Sequence, residues 1–259
     1  MLEMFSLKGK NAVVVGGAGG LGQAIAQGLA EAGAKVAIAS RKEESLQRAV
    51  KEIKAACGLE VKYYTVDAAN EASVEALVTS SVKDFGKVDI LVNAQGFNKK
   101  FNAEDFPMDI FDQMFAVNVT GVMMCCKHFG KHMMKKGYGK ILNLSSVRGR
   151  IATKGPGNAG YCATKGAVDM ITRQLASEFG QYNITVNAIG PTITETPMMT
   201  DILNSRGPNA RKDLAAGLPM KRMALPEDCV GPAIFLCSDA SCFVTGNILY
   251  PDGGLTAIG

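Results

Sequence analysis

Short apolar segments alternate with longer helical patterns along almost all of this 259-residue chain. Nearly continuous apolar strands are typical of a parallel sheet, in which helices cover both faces and connect one strand to the next. The alternation therefore predicts a doubly wound α/β fold, with a parallel sheet of about seven strands and helices on both faces. Strands are predicted at residues 11–15, 35–39, 60–66, 88–92, 140–144, 184–189 and about 247–250. Helices are predicted at 20–32, 43–56, 73–85, 109–136 with an interruption at Asn118 and Gly121, 166–179 and 226–237.

The chain shows no repeat beyond the strand–helix unit, no linker and no low-complexity segment. Because 47% of the residues are hydrophobic, a full core is available, and we predict that residues 1–259 form a single domain. Residues 192–225 are a looser stretch, rich in Pro, Gly and Met. We expect this stretch to act as a lid that excludes water from a substrate.

Charge and hydropathy exclude several classes of protein. The 28 basic and 24 acidic residues give a net charge of +4 and are dispersed, which predicts no nucleic-acid partner. No apolar run reaches the length of a membrane span, and residues 1–10 lack the apolar centre of a secretory signal. The seven cysteines form no CxxC pair, so we expect buried, reduced thiols in a cytoplasmic protein.

A glycine-rich segment follows the first predicted strand and opens the first predicted helix. Its glycines fit two spacings, at positions 17, 19 and 22 or at positions 16, 20 and 22. Glycines let the backbone turn sharply and approach a pyrophosphate, which then lies at the positive end of the helix. The segment therefore predicts dinucleotide binding. It reads Gly16-Gly17-Ala18-Gly19-Gly20-Leu21-Gly22.

A tyrosine and a lysine, Tyr161 and Lys165, stand one helical turn apart at the start of a predicted helix. At this spacing the two side chains share one face of the helix. A nearby positive charge favours the phenolate, so such a tyrosine can give or take a proton near neutral pH. Ser145 and Ser146 end the preceding apolar strand, and either hydroxyl could bind a substrate oxygen.

These features occur in the order seen in the short-chain dehydrogenase/reductase family, which the chain resembles over essentially its whole length. Three positions differ from the family pattern. Val15 replaces the usual Thr, Asn93-Ala94-Gln95-Gly96 replaces Asn-Asn-Ala-Gly, and Thr192 replaces the Gly after Pro191. The resemblance rests on the glycines at 16, 20 and 22 and on Asp67, Asn93-Ala94-Gln95-Gly96, Asn118, Ser146, Tyr161, Lys165, Pro191 and Asp252-Gly253-Gly254.

The resemblance implies a Rossmann-type fold and hydride transfer between a nicotinamide and a carbon that bears oxygen. Tyr161 would be the general acid/base, and Lys165 would lower its pKa and hold the nicotinamide ribose. Ser146, preferred to Ser145 from the family register, would bind the substrate oxygen. Asn118 would link Lys165 to solvent through a water. The implied cofactor contacts are Gly16, Ala18, Gly19, Gly20, Leu21, Gly22, Ser40, Arg41, Lys42, Asp67, Ala68, Asn93, Ala94, Gln95, Gly96, Tyr161, Lys165, Pro191, Thr192, Ile193 and Thr196.

The choice between NADP and NAD depends on the end of the second predicted strand. An acidic residue there would bind the 2′-hydroxyl of NAD and repel a 2′-phosphate. The chain has Ser40-Arg41-Lys42 instead, and a hydroxyl beside a guanidinium suits that phosphate. Gly19, where many NADP-using members carry a basic residue, points the other way. We therefore predict NADP, with NAD as the alternative.

Basic residues lie on loops that are expected to border the site, and they suggest a small anionic substrate. The segment from Gly96 to Pro107 resembles the gluconate 5-dehydrogenase and sugar-acid branch of the family. A sugar acid or polyol is therefore predicted. A 3-oxoacyl-carrier-protein reductase is the alternative enzyme, and a catalytically silent binding protein on this fold is the less favoured class. The substrate-binding residues predicted are Ser146, Arg148, Lys154, Tyr161 and Lys100, with Arg150 as a further candidate.

His128 and His132 are spaced like a metal pair, but no third ligand is evident in the sequence. We therefore expect no metal site and place both histidines at the surface or at a subunit interface. The predicted helix at residues 109–136 carries more apolar surface than one face needs, and the chain ends in an apolar tail. Because family members similar to this chain are mostly tetramers, a homotetramer is expected.

Overall fold

The computed structural model describes residues 3–155, 157–205 and 207–258, and its seven strands there form one sheet. The strand order is 3-2-1-4-5-6-7, and every pairing is parallel. This confirms the predicted doubly wound sheet. The order reverses between the first and fourth strands, where α/β sheets bind their ligands. The strands are β1 (Asn11–Val15), β2 (Lys35–Ser40), β3 (Lys62–Thr65), β4 (Ile90–Asn93), β5 (Gly139–Leu144), β6 (Ile184–Ile189) and β7 (Ile248–Leu249).

Helices connect the strands and cover both faces of the sheet. Alternate residues of β1 face opposite layers, because successive side chains of a strand point to opposite sides. Ala12 and Val14 belong to one buried apolar cluster, and Val13 and Val15 belong to the other. The α-helices in the described part are α1 (Gly20–Glu31), α2 (Glu43–Cys57), α3 (Glu71–Phe85), α4 (Met108–Phe115), α5 (Gly121–Lys136), α6 (Ala159–Phe179), α7 (Pro197–Ser205), α8 (Ala210–Ala216) and α9 (Val230–Cys237).

Both edge strands are shorter than predicted, and the interior strand β4 is shifted from the predicted residues 88–92 to Ile90–Asn93. The third strand, predicted at residues 60–66, is limited to Lys62–Thr65, and the last strand is limited to Ile248–Leu249. Each edge strand has a neighbour on one side only, so fewer hydrogen bonds extend it. The central strands β1 and β6 have the predicted boundaries.

The helical stretch predicted at residues 109–136 is interrupted where the sequence indicated. One wider, π-type turn, Ala116–Thr120, separates α4 from α5 and contains the buried Asn118. Gly121 follows it, and a Cβ there would lie 2.8 Å from the Ala68 carbonyl oxygen. The close packing explains the glycine, and the turn directs Asn118 towards the segment after β4.

The expectation of a loose stretch at residues 192–225 is wrong in its secondary structure. This stretch contains α7 and α8, and Leu203 and Met223 form a small buried cluster with Ala210. Pro197 begins α7, where a proline loses no hydrogen bond, and Gly207 adopts φ 97 between the helices. The Pro and Gly residues therefore mark helix boundaries and do not disrupt the helices.

Two expectations about the whole chain have different outcomes. Cys125, Cys126, Cys229 and Cys237 are free and buried as predicted, but Cys242 is exposed, and two others are partly buried. Burial raises the pKa of the Cys125 and Cys229 thiols to about 12, so these thiols remain protonated. In the part of the chain that the structure describes, no helix combines the length and apolarity needed to cross a membrane.

Candidate active site

The glycine-loop cleft is a cavity of about 350 Å³ at the carboxyl ends of β1, β2 and β4. Its position matches the point where the strand order reverses, as expected for a nucleotide site. The sequence missed several of its apolar and small residues because they lie inside predicted elements. The lining residues are Val15, Gly16, Ala18, Gly19, Ser40, Arg41, Lys42, Ser45, Val66, Asp67, Ala68, Ala94, Gln95, Gly96, Phe97 and Val117.

The glycines of this cleft are required by close backbone contacts. Gly16 has φ 82, and a Cβ there would lie 2.5 Å from the Gln95 amide nitrogen. A Cβ on Gly22 would collide with the Gly16 carbonyl oxygen. Gly19 precedes α1 and has no side chain that could cap the helix. The first amides of α1 therefore have no side-chain capping partner at Gly19. These features fit a pyrophosphate at the helix N-terminus.

The end of β2 supplies basic groups to the same cleft. Arg41 and Lys42 are exposed and line the cleft with Ser40 and Ser45. Asp67, on the opposite wall, accepts the Ala69 amide at 3.0 Å and so closes its own turn. The cleft therefore presents two cations and two hydroxyls where a ribose 2′-substituent would lie.

The tyrosine cavity, of about 510 Å³, adjoins this cleft and contains Ser146, Tyr161 and Lys165. The Ser146 hydroxyl accepts the Arg148 amide at 3.2 Å and donates to the Pro191 carbonyl at 3.4 Å. These bonds fix the hydroxyl at the end of β5, beside the first turn of α6. The structure thus brings the three predicted catalytic side chains to one wall, with Ser145 next to them.

The expected pairing of Tyr161 and Lys165 is indirect in this structure. Lys165 Nζ lies 5.6 Å from the Tyr161 ring centroid and donates to the Leu144 carbonyl at 2.6 Å. Burial lowers the pKa of Lys165 to about 8, and Asp169 opposes this shift. Burial raises the pKa of Tyr161, and the hydrogen bond from Ser146 opposes it. Burial therefore sets the direction of the Tyr161 pKa shift, contrary to the expectation that Lys165 lowers this pKa.

Asn118 connects the segment after β4 to α6. Its side chain accepts the Phe97 amide at 3.0 Å and donates to the Phe97 carbonyl at 2.9 Å and to the Thr164 hydroxyl at 3.2 Å. A Cβ on Gly96 would lie 3.2 Å from Asn118 Oδ1 and 3.8 Å from Lys165 Nζ. Asn118 is therefore a structural brace beside the lysine. Its predicted water link to solvent stays a prediction.

Four residues predicted to contact the cofactor or the substrate lie away from the two cavities. The Asn93 side chain points into the core, where it donates to Asn143 Oδ1 at 2.9 Å, and Gly20 packs against Thr196. Lys154 is exposed and is not on the wall of the tyrosine cavity. Arg150 lies 5.4 Å from the Tyr250 ring and lines a separate cavity. Loop direction decides the positions of Lys154 and Arg150, whereas Asn93 lies in β4 and Gly20 in α1.

The remaining predicted cofactor and substrate residues line one cavity or the other. The sequence missed side chains that reach the tyrosine cavity from loops, which carry no periodic signal, and from β5, α7 and α8. The predicted residues on its wall are Leu21, Gly22, Lys100, Arg148, Pro191, Thr192, Ile193 and Thr196, together with those already described, and the missed ones are Phe97, Asn98, Leu144, Val147, Thr153, Asn158, Thr194, Met199 and Leu214.

The two histidines do not form a pair. His128 is buried against Glu71, with Nε2 2.9 Å from Glu71 Oε1, and His132 accepts the Val88 amide at 3.2 Å. The expectation that His128 is a surface residue is wrong. Glu71, Glu75 and His128 bring three potential ligand atoms within 4.8 Å of one another, but Lys127 already pairs with Glu71 at 2.6 Å. An ion-pair network explains this cluster.

Comparisons with known proteins agree with this geometry. A family model described as enoyl-(acyl carrier protein) reductase matches residues 16–256. Gluconate 5-dehydrogenase of Gluconobacter oxydans strain 621H is 34% identical over 254 residues, covering 98% of this chain and 97% of the relative. Glucose 1-dehydrogenase of the same strain is 36% identical over 252 residues, covering 97% and 93%. A solved structure of gluconate 5-dehydrogenase from Burkholderia cenocepacia J2315, in complex with NADP and tartrate, has a TM-score of 0.92 at 33% identity, covering 100% of this chain and 99% of that one.

The fold, the site and these relatives together define an oxidoreductase that acts on CH–OH groups. More particularly, the chain belongs to the short-chain dehydrogenase/reductase family.

Proposed function

We propose that the protein is an NADP-dependent enzyme that transfers a hydride between the nicotinamide and a secondary alcohol or ketone of a sugar acid. The composition of the tyrosine cavity carries this proposal. Beside Ser146 and Tyr161, its wall contains Lys100, Arg148 and Lys165 and, within the described residues, no acidic side chain. Basic and hydrogen-bonding groups without carboxylates suit an anionic, hydroxyl-rich substrate.

The chain's own residues account for the proton and for the position of the reacting oxygen. A bound nicotinamide supplies or accepts the hydride. Tyr161 takes the hydroxyl proton during oxidation and returns it during reduction. Ser146, held by the Arg148 amide and the Pro191 carbonyl, binds the reacting oxygen. Lys165 provides a positive charge beside the tyrosine ring and a donor for a ribose hydroxyl.

NADP is favoured over NAD by the basic end of β2. Arg41, Lys42 and the Ser40 hydroxyl line the glycine-loop cleft, and the acidic residue on its wall, Asp67, follows β3 and accepts the Ala69 amide. A guanidinium binds a phosphate bidentately, whereas a ribose hydroxyl offers it no charge. The solved gluconate 5-dehydrogenase that contains NADP supports the same choice.

Reduction of a 3-oxoacyl thioester is the second candidate function. The matching family model is described as enoyl-(acyl carrier protein) reductase, which supports an acyl-thioester substrate but not the 3-oxo group itself. The curated relatives favour sugar substrates, since they include gluconate and glucose dehydrogenases and a 5-keto-D-gluconate 5-reductase. Residues 192–225 would act as the lid in either case.

A substrate panel distinguishes the candidates. Purified protein is assayed by cofactor absorbance with gluconate and sorbitol in the oxidative direction, and with an acetoacetyl thioester in the reductive direction. We expect kcat/KM for gluconate to exceed that for sorbitol by roughly tenfold or more, the value of one charge-assisted contact. Equal rates on gluconate and sorbitol would contradict a sugar-acid function, and a preference for the thioester would favour the second candidate.

A homotetramer with two-fold interfaces, located in the cytoplasm, completes the proposal. Met108, Met123 and Met170 expose 63%, 40% and 60% of their surface on α4, α5 and α6. Exposed apolar side chains on adjoining helices are typical of subunit interfaces. Light scattering at micromolar concentration should give the tetramer mass, and a monomer mass would exclude this assembly.

A further inference from the structure

Two loops meet at the mouth of the tyrosine cavity. Asn98, in the segment after β4, donates from Nδ2 to Asn158 Oδ1 at 3.0 Å. Both residues line the cavity, although 60 positions separate them in the sequence. We call this hydrogen bond the asparagine clasp. It ties the segment that follows β4 to the residue that precedes α6.

Asn158 forms the clasp in place of an ordinary helix cap. An asparagine at this position usually accepts an amide of the first turn. Here Asn158 precedes α6 and its side chain makes no cap hydrogen bond. Its backbone carbonyl still accepts the Cys162 amide at 2.8 Å. The clasp therefore joins the loop to the same helical turn that carries Tyr161.

Aromatic packing holds the rest of this loop in place. Phe101 and Phe106 have ring centroids 5.4 Å apart, and Phe106 contacts Phe111 of α4 at 6.0 Å. A Cβ on Gly160 would lie 2.9 Å from Phe106 Cζ, so this ring packs against the first turn of α6. The loop is thus attached at both ends, by the clasp and by these rings.

Lys100 lies between these two attachments. A Cβ on Gly157, which has φ 99, would lie 3.2 Å from Lys100 Cβ, so the lysine backbone is packed closely. Asn98 and Lys100 line the cavity, whereas Lys99 between them does not. Lys99 is exposed, as is Lys100, so the two lysines differ in their position relative to the cavity wall and not in their burial.

The three cations of the cavity differ in what they already bind. Arg148 donates from Nη1 to the Ala152 carbonyl at 2.7 Å, and Lys165 donates to Leu144. The Lys100 ammonium forms no hydrogen bond or ion pair with any other residue in the described ranges. Lys100 is therefore the cation of this wall whose donors are all open to a ligand, whereas Arg148 and Lys165 each already use one donor on the protein.

We propose that Lys100 is the carboxylate subsite of the substrate and that the asparagine clasp holds it there. The proposal rests on the sugar-acid function and makes it specific. The substrate carboxylate binds the Lys100 ammonium at the mouth, while the reacting carbon lies beside Tyr161 deeper in the cavity. Arg148, Lys154 and Arg150 are not required for carboxylate binding.

The test compares Lys100→Met with Lys99→Met, a matched control on the neighbouring exposed lysine that is not on the cavity wall. The ratio of kcat/KM for gluconate to that for sorbitol is measured for both variants. We expect Lys100→Met to lower this ratio roughly tenfold or more, mainly through KM for gluconate. Lys99→Met should leave the ratio unchanged. NADPH affinity, measured by fluorescence, should be unaffected in both variants.

Two further variants examine the geometry. Lys100→Arg should keep most of the preference for gluconate, since the charge remains. Asn98→Ala should lower the gluconate ratio by a smaller factor than Lys100→Met, because it frees the loop without removing the ammonium. If the wild type prefers gluconate and Lys100→Met keeps that preference, the subsite is wrong while the sugar-acid function stands. A wild type without the preference would overturn both.

Discussion

The glycine-loop cleft and the tyrosine cavity adjoin each other but are built in different ways. The cleft is formed largely by backbone and small residues at the ends of adjacent strands, where Gly16 and Gly22 leave no space for a side chain. The tyrosine cavity is formed by side chains from the segment after β4, the loop before α6, and α7 and α8. On the proposed function, the first would hold the dinucleotide, a group common to many enzymes, and the second would recognise the substrate.

The difference shows how one fold can keep its cofactor and change its substrate. Backbone contacts tolerate little variation, because a Cβ on Gly22 would displace the neighbouring strand end. Loop side chains such as Lys100 can change without disturbing the sheet. The residues that separate the two cavities line both of them and are Gly19, Ala94, Gln95, Gly96 and Phe97.

The largest expected effect separates chemistry from cofactor binding. Tyr161→Phe keeps the ring and removes only the proton carrier, so turnover should fall by ~10²–10⁴-fold. NADPH affinity and the melting temperature should be close to wild type, because the cleft is unchanged. Tyr182→Phe, on an exposed tyrosine, is the matched control. Near-normal turnover in Tyr161→Phe would remove the tyrosine from its catalytic role.

The second effect concerns the charge buried in the wall of the tyrosine cavity. The folded Lys165 has a pKa of about 8, against 10.5 for a solvent-exposed lysine such as that of the unfolded chain. Between these values the unfolded chain holds the extra proton, so this lysine makes the protein more stable as pH rises. From pH ~7 to ~9.5, wild type should gain about 2 kcal/mol of unfolding free energy relative to Lys165→Met.

Urea unfolding in a reducing buffer measures this difference. Comparing the two proteins at each pH cancels the titration of the buried cysteine thiols, which both contain. Lys99→Met serves as the control on an exposed lysine. A difference between wild type and Lys165→Met that does not change with pH would show that Lys165 keeps an ordinary pKa in the folded protein.

The smallest expected effect concerns Arg41, a basic side chain of the glycine-loop cleft that is proposed to bind the 2′-phosphate. Arg41→Ala should raise KM for NADPH about tenfold and leave KM for NADH unchanged, since only the 2′-phosphate offers a charged partner. Arg48→Ala, which removes an exposed arginine of α2 that pairs with Glu52, should change neither constant. Equal changes in both constants, or a wild type that prefers NAD, would contradict the NADP assignment.

The sequence predicted the cleft better than the cavity for a physical reason. Strand periodicity, a glycine segment after β1 and a basic pair after β2 are local patterns, and the parallel sheet brings strand ends together without further information. The boundaries of β1 and β6 and the interruption at Asn118 were predicted on the same basis. The short lengths of the edge strands and the helices α7 and α8 were not predicted, because long-range packing decides them.

By itself, the sequence determined the fold class and the position of the glycine loop, and it indicated Ser146, Tyr161 and Lys165 as the candidate catalytic residues. Only the tertiary structure decided which loop cations face the cavity. It placed Lys100 on the wall and turned Arg150 towards Tyr250. It also showed that Lys165 binds Leu144 and that burial governs its pKa. Local spacing specifies the direction of a side chain on a helix, but a loop side chain takes its direction from contacts such as the asparagine clasp, between residues distant in the chain.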